Sequence, residues 1–583
     1  MAKLFTTRSV FAPVVWLALM GCRQPAPTTG NTSDSTRKWW KEAVVYQVYP
    51  RSFKDSDGDG IGDLKGIISR LDYIKSLGVD VVWLNPIYSS PNDDNGYDIS
   101  DYRNIMKDFG TMQDFDNLLK GLHDRKIRLV MDLVVNHSSD EHPWFVQSRS
   151  SRDNPYRNYY HWWNAERGKP TYRWSFFDIN SDAWKYDSVT NAYYLHYFSR
   201  KQPDLNWENP KVRQEVDDIM KFWLDKGIDG FRMDAFQFVA KDTTWPAFPE
   251  GYQSQVGKYY GMGPHLHDYI QEMNRNVFSK YDIMTVAEGA GSSFGDAHAL
   301  VDPDRHELDM AYHFEGVDLG NDPVARYSLL DFKRVYTRWD SAFADKGWLA
   351  IFLANHDQPR MVTKFGNDSA AFREVSSKML TTFILSMRGT PYYYNGDELG
   401  MDNVRFDKIG DYRDIGTVNA YKALKNKGGD TTAFLEKATF TSRDNGRTPF
   451  QWDSTSEAGF TTGKPWIKVN PDYKKINQAA EEKDPHSVLN YFRRMVALRK
   501  SNPVLVYGKY DLLDKDNPDV YAYTRELDGE KILVLLNFRS KPGVANTGID
   551  FRQAQVLQGN YPDPGHDGTL RPYEAVIYRL RAN

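Results

Sequence analysis

Arg128-Leu-Val-Met-Asp132-Leu-Val-Val-Asn136-His137 decides how the rest of this chain is read. Apart from Asp132 the run is apolar until Asn136 and His137 close it, so neither face is set aside for water. A short run of this kind is a strand buried on both sides, as in a parallel sheet covered by helices. A carboxylate inside it is costly unless something pairs with it.

Runs of the same character recur at 44–53, 79–86, 231–236, 283–288, 349–357 and 391–395. Between the first two, Leu64, Ile67, Ile68, Leu71 and Ile74 have the spacing of one helix face. Thr111 and Asp114 form a capping-box signature that opens another helix before the 128–137 strand. Seven or eight strand–helix units predict an α/β fold, a (β/α)8 TIM barrel over 39–137 and 207–508. Residues 138–206 break the rhythm, being rich in Trp, Tyr, Asn and Arg, and read as an irregular inserted domain after strand 3. From 509 to 583 short strands take over, with runs at 520–527, 531–538 and 575–581 and a turn at Asp528-Gly529. They predict a C-terminal antiparallel β-sandwich domain.

The chain has 583 residues, 26% of them charged, with a net charge of -4. Without a basic run it excludes a nucleic-acid partner of the electrostatic kind. Its one cysteine, Cys22, cannot form an internal disulfide. Lys3 and Arg8 give a basic start, and the apolar stretch at 10–20 is too short to span a bilayer. Leu19-Met20-Gly21-Cys22 resembles a bacterial lipobox, although Met20 and Pro13 depart from the usual pattern. Residues 1–22 are therefore expected to be a lipoprotein signal segment with lipid on Cys22. Residues 23–38, rich in Pro, Thr, Ser and Gly, would be a flexible tether. The expected location is the bacterial cell envelope, periplasmic or on the outer-membrane face, with the membrane reached only through that lipid.

Polar residues gather at the carboxyl ends of the candidate strands: Asp132 and His137, Arg232 and Asp234, Glu288, then His356 and Asp357. In a barrel those ends face the active site. Asp132-Leu-Val-Val-Asn136-His137, Gly230-Phe-Arg232-Met-Asp234, Val286-Ala-Glu288 and Asn355-His356-Asp357 resemble the four sequence blocks of glycoside hydrolase family thirteen. Gln202-Pro-Asp-Leu-Asn206 and Arg443-Asp-Asn-Gly-Arg447 resemble its oligo-1,6-glucosidase branch, which also holds α-glucosidases and sucrose isomerases.

The resemblance implies a retaining, exo-acting α-glucosidase. Such an enzyme would release terminal α-linked glucose from a small oligosaccharide or disaccharide substrate. Asp234 would attack, held ionised by Arg232, and Glu288 would be kept protonated as the acid. Asp357 would bind ring hydroxyls. Tyr97 would face the sugar, His137 and His356 would donate to its hydroxyls, and Asp98 with Arg443 would grip the non-reducing glucose. The tryptophans of the insertion, Trp162, Trp163 and Trp174, are expected to be mostly core.

The acidic loop Asp55-x-Asp57-x-Asp59-Gly60-x-x-Asp63 can converge on a hard cation. The family implies a structural Ca2+ there, held by Asp55, Asp57, Asp59, Asp63 and the Ile61 carbonyl. Three positions bear on specificity. Ala235 after the nucleophile tilts the expectation towards α-1,4 linkages. The Arg-Leu-Asp-Arg loop of sucrose isomerases is missing, although isomerisation or trehalose-forming transfer would use the same site. Gly416 stands where the branch has a Glu that touches the leaving-group sugar.

Overall fold

The computed structural model describes residues 37–321 and 326–581. The signal segment, Cys22 and most of the tether lie outside the described residues. No helix among the described residues is long and apolar enough to cross a membrane.

Eight parallel strands form one sheet: β1 (Val45–Val48), β2 (Val81–Leu84), β3 (Arg128–Val134), β4 (Gly230–Asp234), β5 (Met284–Glu288), β6 (Met310–Tyr312), β7 (Ala350–Ile351) and β8 (Thr390–Tyr394). Their order is β6-β5-β4-β3-β2-β1-β8-β7, and a parallel bridge between Ala311 and Leu349 closes the ring from β6 to the start of β7. Every strand expected from the sequence is present. The sixth, Met310–Tyr312, gave no distinct run because it is only 3 residues long.

The two-residue period of a strand sorts its side chains. Val45, Val81, Trp83, Val130, Met284, Val286 and Met310 pack together inside the barrel. Their neighbours Tyr46, Val82, Leu129, Phe231, Met233, Ala287 and Ala311 face outward to the helices. By the same parity Asp132, Arg232, Asp234, Glu288 and Tyr312 point inward, near the carboxyl ends.

The helix face from Leu64 to Ile74 is real but broken into Leu64–Ile68 and Leu71–Ser76. The Ser69 hydroxyl donates to the Gly66 carbonyl at 2.6 Å, and Arg70 leaves helical geometry. The capping box at Thr111 and Asp114 is formed at the head of Met112–Asp124.

The insertion holds a three-stranded antiparallel sheet in which Ala192–Leu195 lies between Trp162–Asn164 and Trp184–Asp187. Trp162 stacks on Phe145 and Trp174 meets the edge of Phe176, whereas Trp163 lies under Arg167. The C-terminal sheet comprises β9 (Lys509–Leu513), β10 (Val520–Leu527), β11 (Glu530–Asn537), β12 (Gln555–Gly559) and β13 (Ala575–Arg579), in the order β9-β10-β11-β13-β12. Asp528 (φ 50°) and Gly529 (φ 82°) are the two central residues of the β10–β11 hairpin. Both lie in the left-handed region that such tight turns require. One face of the sheet sends Tyr521, Ile532 and Val534 into the apolar layer around the barrel's outer helices. On the other, Val520, Ala522, Leu533 and Leu535 pack with Ala545 and Leu570 beside a small two-stranded sheet.

Candidate active site

At the mouth of the barrel one guanidinium organises four acidic or phenolic groups. The Arg232 side chain is wholly buried, its Nη1 lying 2.7 Å from Asp132 Oδ1 and 2.6 Å from Asp234 Oδ1. Nη2 lies 2.5 Å from Glu288 Oε1 and 3.0 Å from the Tyr312 hydroxyl. Two carboxyl groups held on neighbouring nitrogens of one guanidinium suit the separation of about 5 Å that a retaining pair needs. The residue after Asp234, Ala235, turns into the left-handed region (φ 45°) and aims its N–H at Glu288 Oε2, 2.7 Å away. A left-handed alanine is strained, and the N–H that this turn presents holds the Glu288 carboxyl beside that of Asp234.

Crowded anions cannot all stay charged around one cation. Burial pushes the Asp234 carboxyl well above the usual range, helped by Glu288, Asp132 and Asp357 and opposed by Arg232. Burial also lifts Asp132 to about 6 against the pull of Arg232. Arg232, expected to hold Asp234 ionised, lies against its carboxyl and opposes this rise.

Asp357 lies in the opposite environment. Burial would raise it, but His356, Arg443 and Arg447 overcome that and hold it well below the carboxylate range. Its Oδ1 accepts from Arg443 Nη1 at 3.0 Å and Arg447 Nη2 at 2.9 Å. It is the fixed negative charge of the site.

Tyr97 and His356 stack at 5.2 Å between ring centroids, with their planes 2° apart. The Tyr97 hydroxyl also reaches Asp132 Oδ2 at 3.1 Å and accepts a hydrogen bond from Asn85 Nδ2 at 2.8 Å. Gln47 bonds both Asn85 and His356 Nδ1. Burial lowers His137 and His356 to about 3, so both rings are neutral near pH 7.

One expected partnership fails. Asp98 does not meet Arg443: its fully buried carboxylate accepts the backbone N–H groups of Asp93 and Asp94, at 2.8 and 3.0 Å. Asp94 takes the place beside Arg443, with Oδ1 3.1 Å from Nη2. Left-handed Asn92, Asn95 and Gly96 curl this loop around Asp98, which becomes its internal anchor and leaves the buried Asp94 facing Arg443. Sequence reasoning gave no role to Tyr312 or Asp414, nor to Gln202, which it quoted only as part of a family block. Asp414 grips Arg443 from the far side at 2.5 Å while capping helix Ile415–Asn426. The available signal was the repeated arginine of Arg443-Asp-Asn-Gly-Arg447, since two buried cations four residues apart require several carboxylates.

In the acidic loop, Asp55, Asp57 and Asp63 each offer a carboxylate oxygen, all within 4.8 Å of one another. An all-oxygen donor set suits a hard cation. Asp59 stays outside that cluster and accepts the Ile61 N–H at 2.8 Å. Asp55 meanwhile accepts the N–H groups of Asp57, Gly58 and Gly60 and the Thr461 hydroxyl.

Residues 47–508 match the family described as alpha amylase, catalytic domain, and residues 510–577 match maltogenic amylase, C-terminal domain. An oligo-1,6-glucosidase of Parageobacillus thermoglucosidasius is 52% identical over 564 residues, covering 94% of this chain and 99% of that protein. Isomaltulose synthase from Klebsiella sp. LX3 superposes with a TM-score of 0.90 at 45% identity, covering 94% of this chain and 100% of the other. Trehalulose synthase from Pseudomonas mesoacidophila MX-45 gives 0.89 at 44%, with the same coverage. Half identity to a relative over almost its whole length, with a match running through the barrel into the C-terminal sheet, makes this chain a member of the alpha-amylase family, glycoside hydrolase family thirteen.

Proposed function

We propose that this enzyme hydrolyses the terminal α-linked glucose of short oligosaccharides with retention, through a glucosyl–Asp234 intermediate. The observation that carries the reading is the placement of Asp234 and Glu288 on neighbouring nitrogens of Arg232. Asp234 attacks the anomeric carbon while Glu288 gives its proton to the leaving oxygen, then takes one from water. The fixed charge of Asp357 binds ring hydroxyls, and the electron-poor sugar of the transition state lies against the stacked Tyr97 and His356. His137 and His356, both neutral, donate to sugar hydroxyls. The Asp94–Arg443 pair closes the cavity beyond the first glucose and so imposes exo-attack.

Two comparisons pull the substrate reading in different directions. Relatives named oligo-1,6-glucosidases favour hydrolysis of short α-1,6-linked glucosides, whereas solved neighbours named isomaltulose and trehalulose synthases favour isomerisation of sucrose on the same glucosyl-enzyme. Maltose, isomaltose, sucrose, trehalose and panose, followed by product chromatography and anomer detection by NMR, separate the two. Free α-glucose as the first product supports hydrolysis with retention. New disaccharides dominating from sucrose overturn it, and β-glucose as the first product removes retention.

The acidic loop holds a structural Ca2+, with Asp55, Asp57 and Asp63 as its carboxylate ligands. Like charges gathered within 4.8 Å repel unless something neutralises them, which supports this reading. The chain is anchored to the bacterial envelope through lipid on Cys22. Labelling with a radioactive fatty acid, lost in Cys22→Ser, tests it.

A further inference from the structure

Seven residues beyond Asp234, Lys241 is buried with its ammonium 3.1 Å from the equally buried Asp204. Both side chains are fully enclosed, and Asp204 belongs to the insertion while Lys241 follows β4. A buried ion pair is weak support for stability, because desolvating two charges offsets their attraction. This one does something more specific to its neighbours.

We infer that Lys241 is a positioning residue that fixes the tautomer of His137 through the Asn136 amide. An ammonium can only donate, and Lys241 Nζ lies 2.7 Å from Asn136 Oδ1. The Asn136 amide is thereby turned so that Nδ2, also only a donor, faces His137 Nδ1 at 3.2 Å. His137 Nδ1 must then be bare, and the single proton of the neutral ring belongs to Nε2. There the Tyr97 carbonyl accepts it at 3.1 Å.

The opposite tautomer has its own support. The Gln202 amide nitrogen lies 3.1 Å from His137 Nε2 and would donate to it if that nitrogen were bare. Two amides thus press the ring towards opposite protonation. The Asn136 amide turned by Lys241 and the Tyr97 carbonyl at Nε2 together favour the Nε2–H form, while Gln202 directs an amide N–H to Asp94 Oδ2 at 3.2 Å. On the reading proposed above, only the Nε2–H form both holds the Tyr97 backbone and donates towards a sugar.

Protein labelled with 15N at histidine tests this by long-range proton–nitrogen correlation. In the wild type His137 should show a bare Nδ1 and a protonated Nε2. Asn136→Asp keeps a partner for Lys241 but presents only acceptors to Nδ1, so it should reverse the two signals and lower kcat/KM about tenfold, mostly through KM. The pair Lys241→Met with Asp204→Asn removes both charges together, leaves neither buried alone, and should also shift the ring to the Nδ1–H form. A protonated Nδ1 in the wild type, or unchanged ring nitrogens in both variants, overturns the inference. The nitrogen signals need no turnover. Failure of Asp234 as nucleophile would therefore leave this result standing, and the reverse also holds.

Discussion

Asp94 and Arg443 meet at 3.1 Å across the mouth of the barrel, joining the loop after β2 to the segment beyond β8. Asp414 holds the same guanidinium at 2.5 Å and Asp357 holds it at 3.0 Å. Removing Asp94 therefore leaves Arg443 paired and the fold intact while opening the far wall. Asp94→Ala should raise KM for disaccharides about ten- to a hundredfold and let longer substrates compete. Asp98→Asn, by contrast, should lower thermal stability through the loop it anchors. Steady-state kinetics with a maltose-to-maltopentaose series checks both: equal effects from the two variants would remove the distinction.

Asp234→Asn and Glu288→Gln should both fold and lose turnover, by at least about a thousandfold on natural substrates. They should differ on an aryl glucoside whose leaving group needs no proton. Glu288→Gln should recover much of its glycosylation rate there, since acid assistance is no longer required, whereas Asp234→Asn should not. Burst kinetics with dinitrophenyl α-glucoside reads the difference. A variant at 234 that turns over this substrate freely would take the nucleophile's role from Asp234.

Acid inactivation follows from the charges around Asp234. Burial comes first among the causes that raise its carboxyl, and the Asp132 charge adds to it. With Asp234 as the proposed nucleophile the working form needs it ionised, so activity should be lost as pH falls through this raised value. Asp132→Asn removes one negative neighbour and makes ionisation easier. The acid limb of kcat/KM should accordingly move to lower pH, even if the maximum rate drops. A limb that stays put or moves to higher pH would show that another group controls it.

The inward polar layer was legible because Asp132, Arg232, Asp234 and Glu288 stand in blocks that resemble the family's, and the strand period of two then puts all four on the inward parity. The hairpin at Asp528-Gly529 was legible for a similarly local reason. Asp94 was not. Asp93, Asp94 and Asp98 are chemically alike, and which one faces Arg443 depends on the left-handed turn through Asn95 and Gly96, a matter of backbone path. The sixth strand escaped because its 3 residues carry almost no pattern, and Tyr312 at its end escaped with it. Tertiary contact alone shows that its hydroxyl completes the shell of Arg232.

For the acidic loop, metal analysis of the purified protein should give one calcium per chain. Exhaustive chelation should lower the melting temperature by a few degrees, since a ligand bound at a hundred times its Kd contributes about 2.7 kcal/mol. Asp63→Asn should mimic chelation and make the chelator ineffective. A metal-free protein with unchanged melting would leave these carboxylates as a hydrogen-bonded loop alone.

Gly416 offers the sharpest test of leaving-group recognition. It lies in the first turn of helix Ile415–Asn426, behind the cap Asp414 that holds Arg443. A Cβ added there would meet the Phe177 ring at 3.3 Å, and that ring covers the Arg443 guanidinium at 4.7 Å. Gly416→Glu should be tolerated: replacing helical glycine gains about 0.5–1 kcal/mol, and an acidic residue suits the N-terminal turn. The cost is a small displacement of Phe177. The family resemblance puts a Glu that touches the leaving-group sugar at this position, so the new carboxylate should accept from that sugar's hydroxyls. KM for isomaltose and maltose should fall several-fold, up to about tenfold. Hydrolysis of an aryl glucoside, whose leaving group offers no hydroxyls, should stay the same. If both substrate types change together, position 416 acts on the first glucose or on the fold, and leaving-group preference is set elsewhere in the cavity.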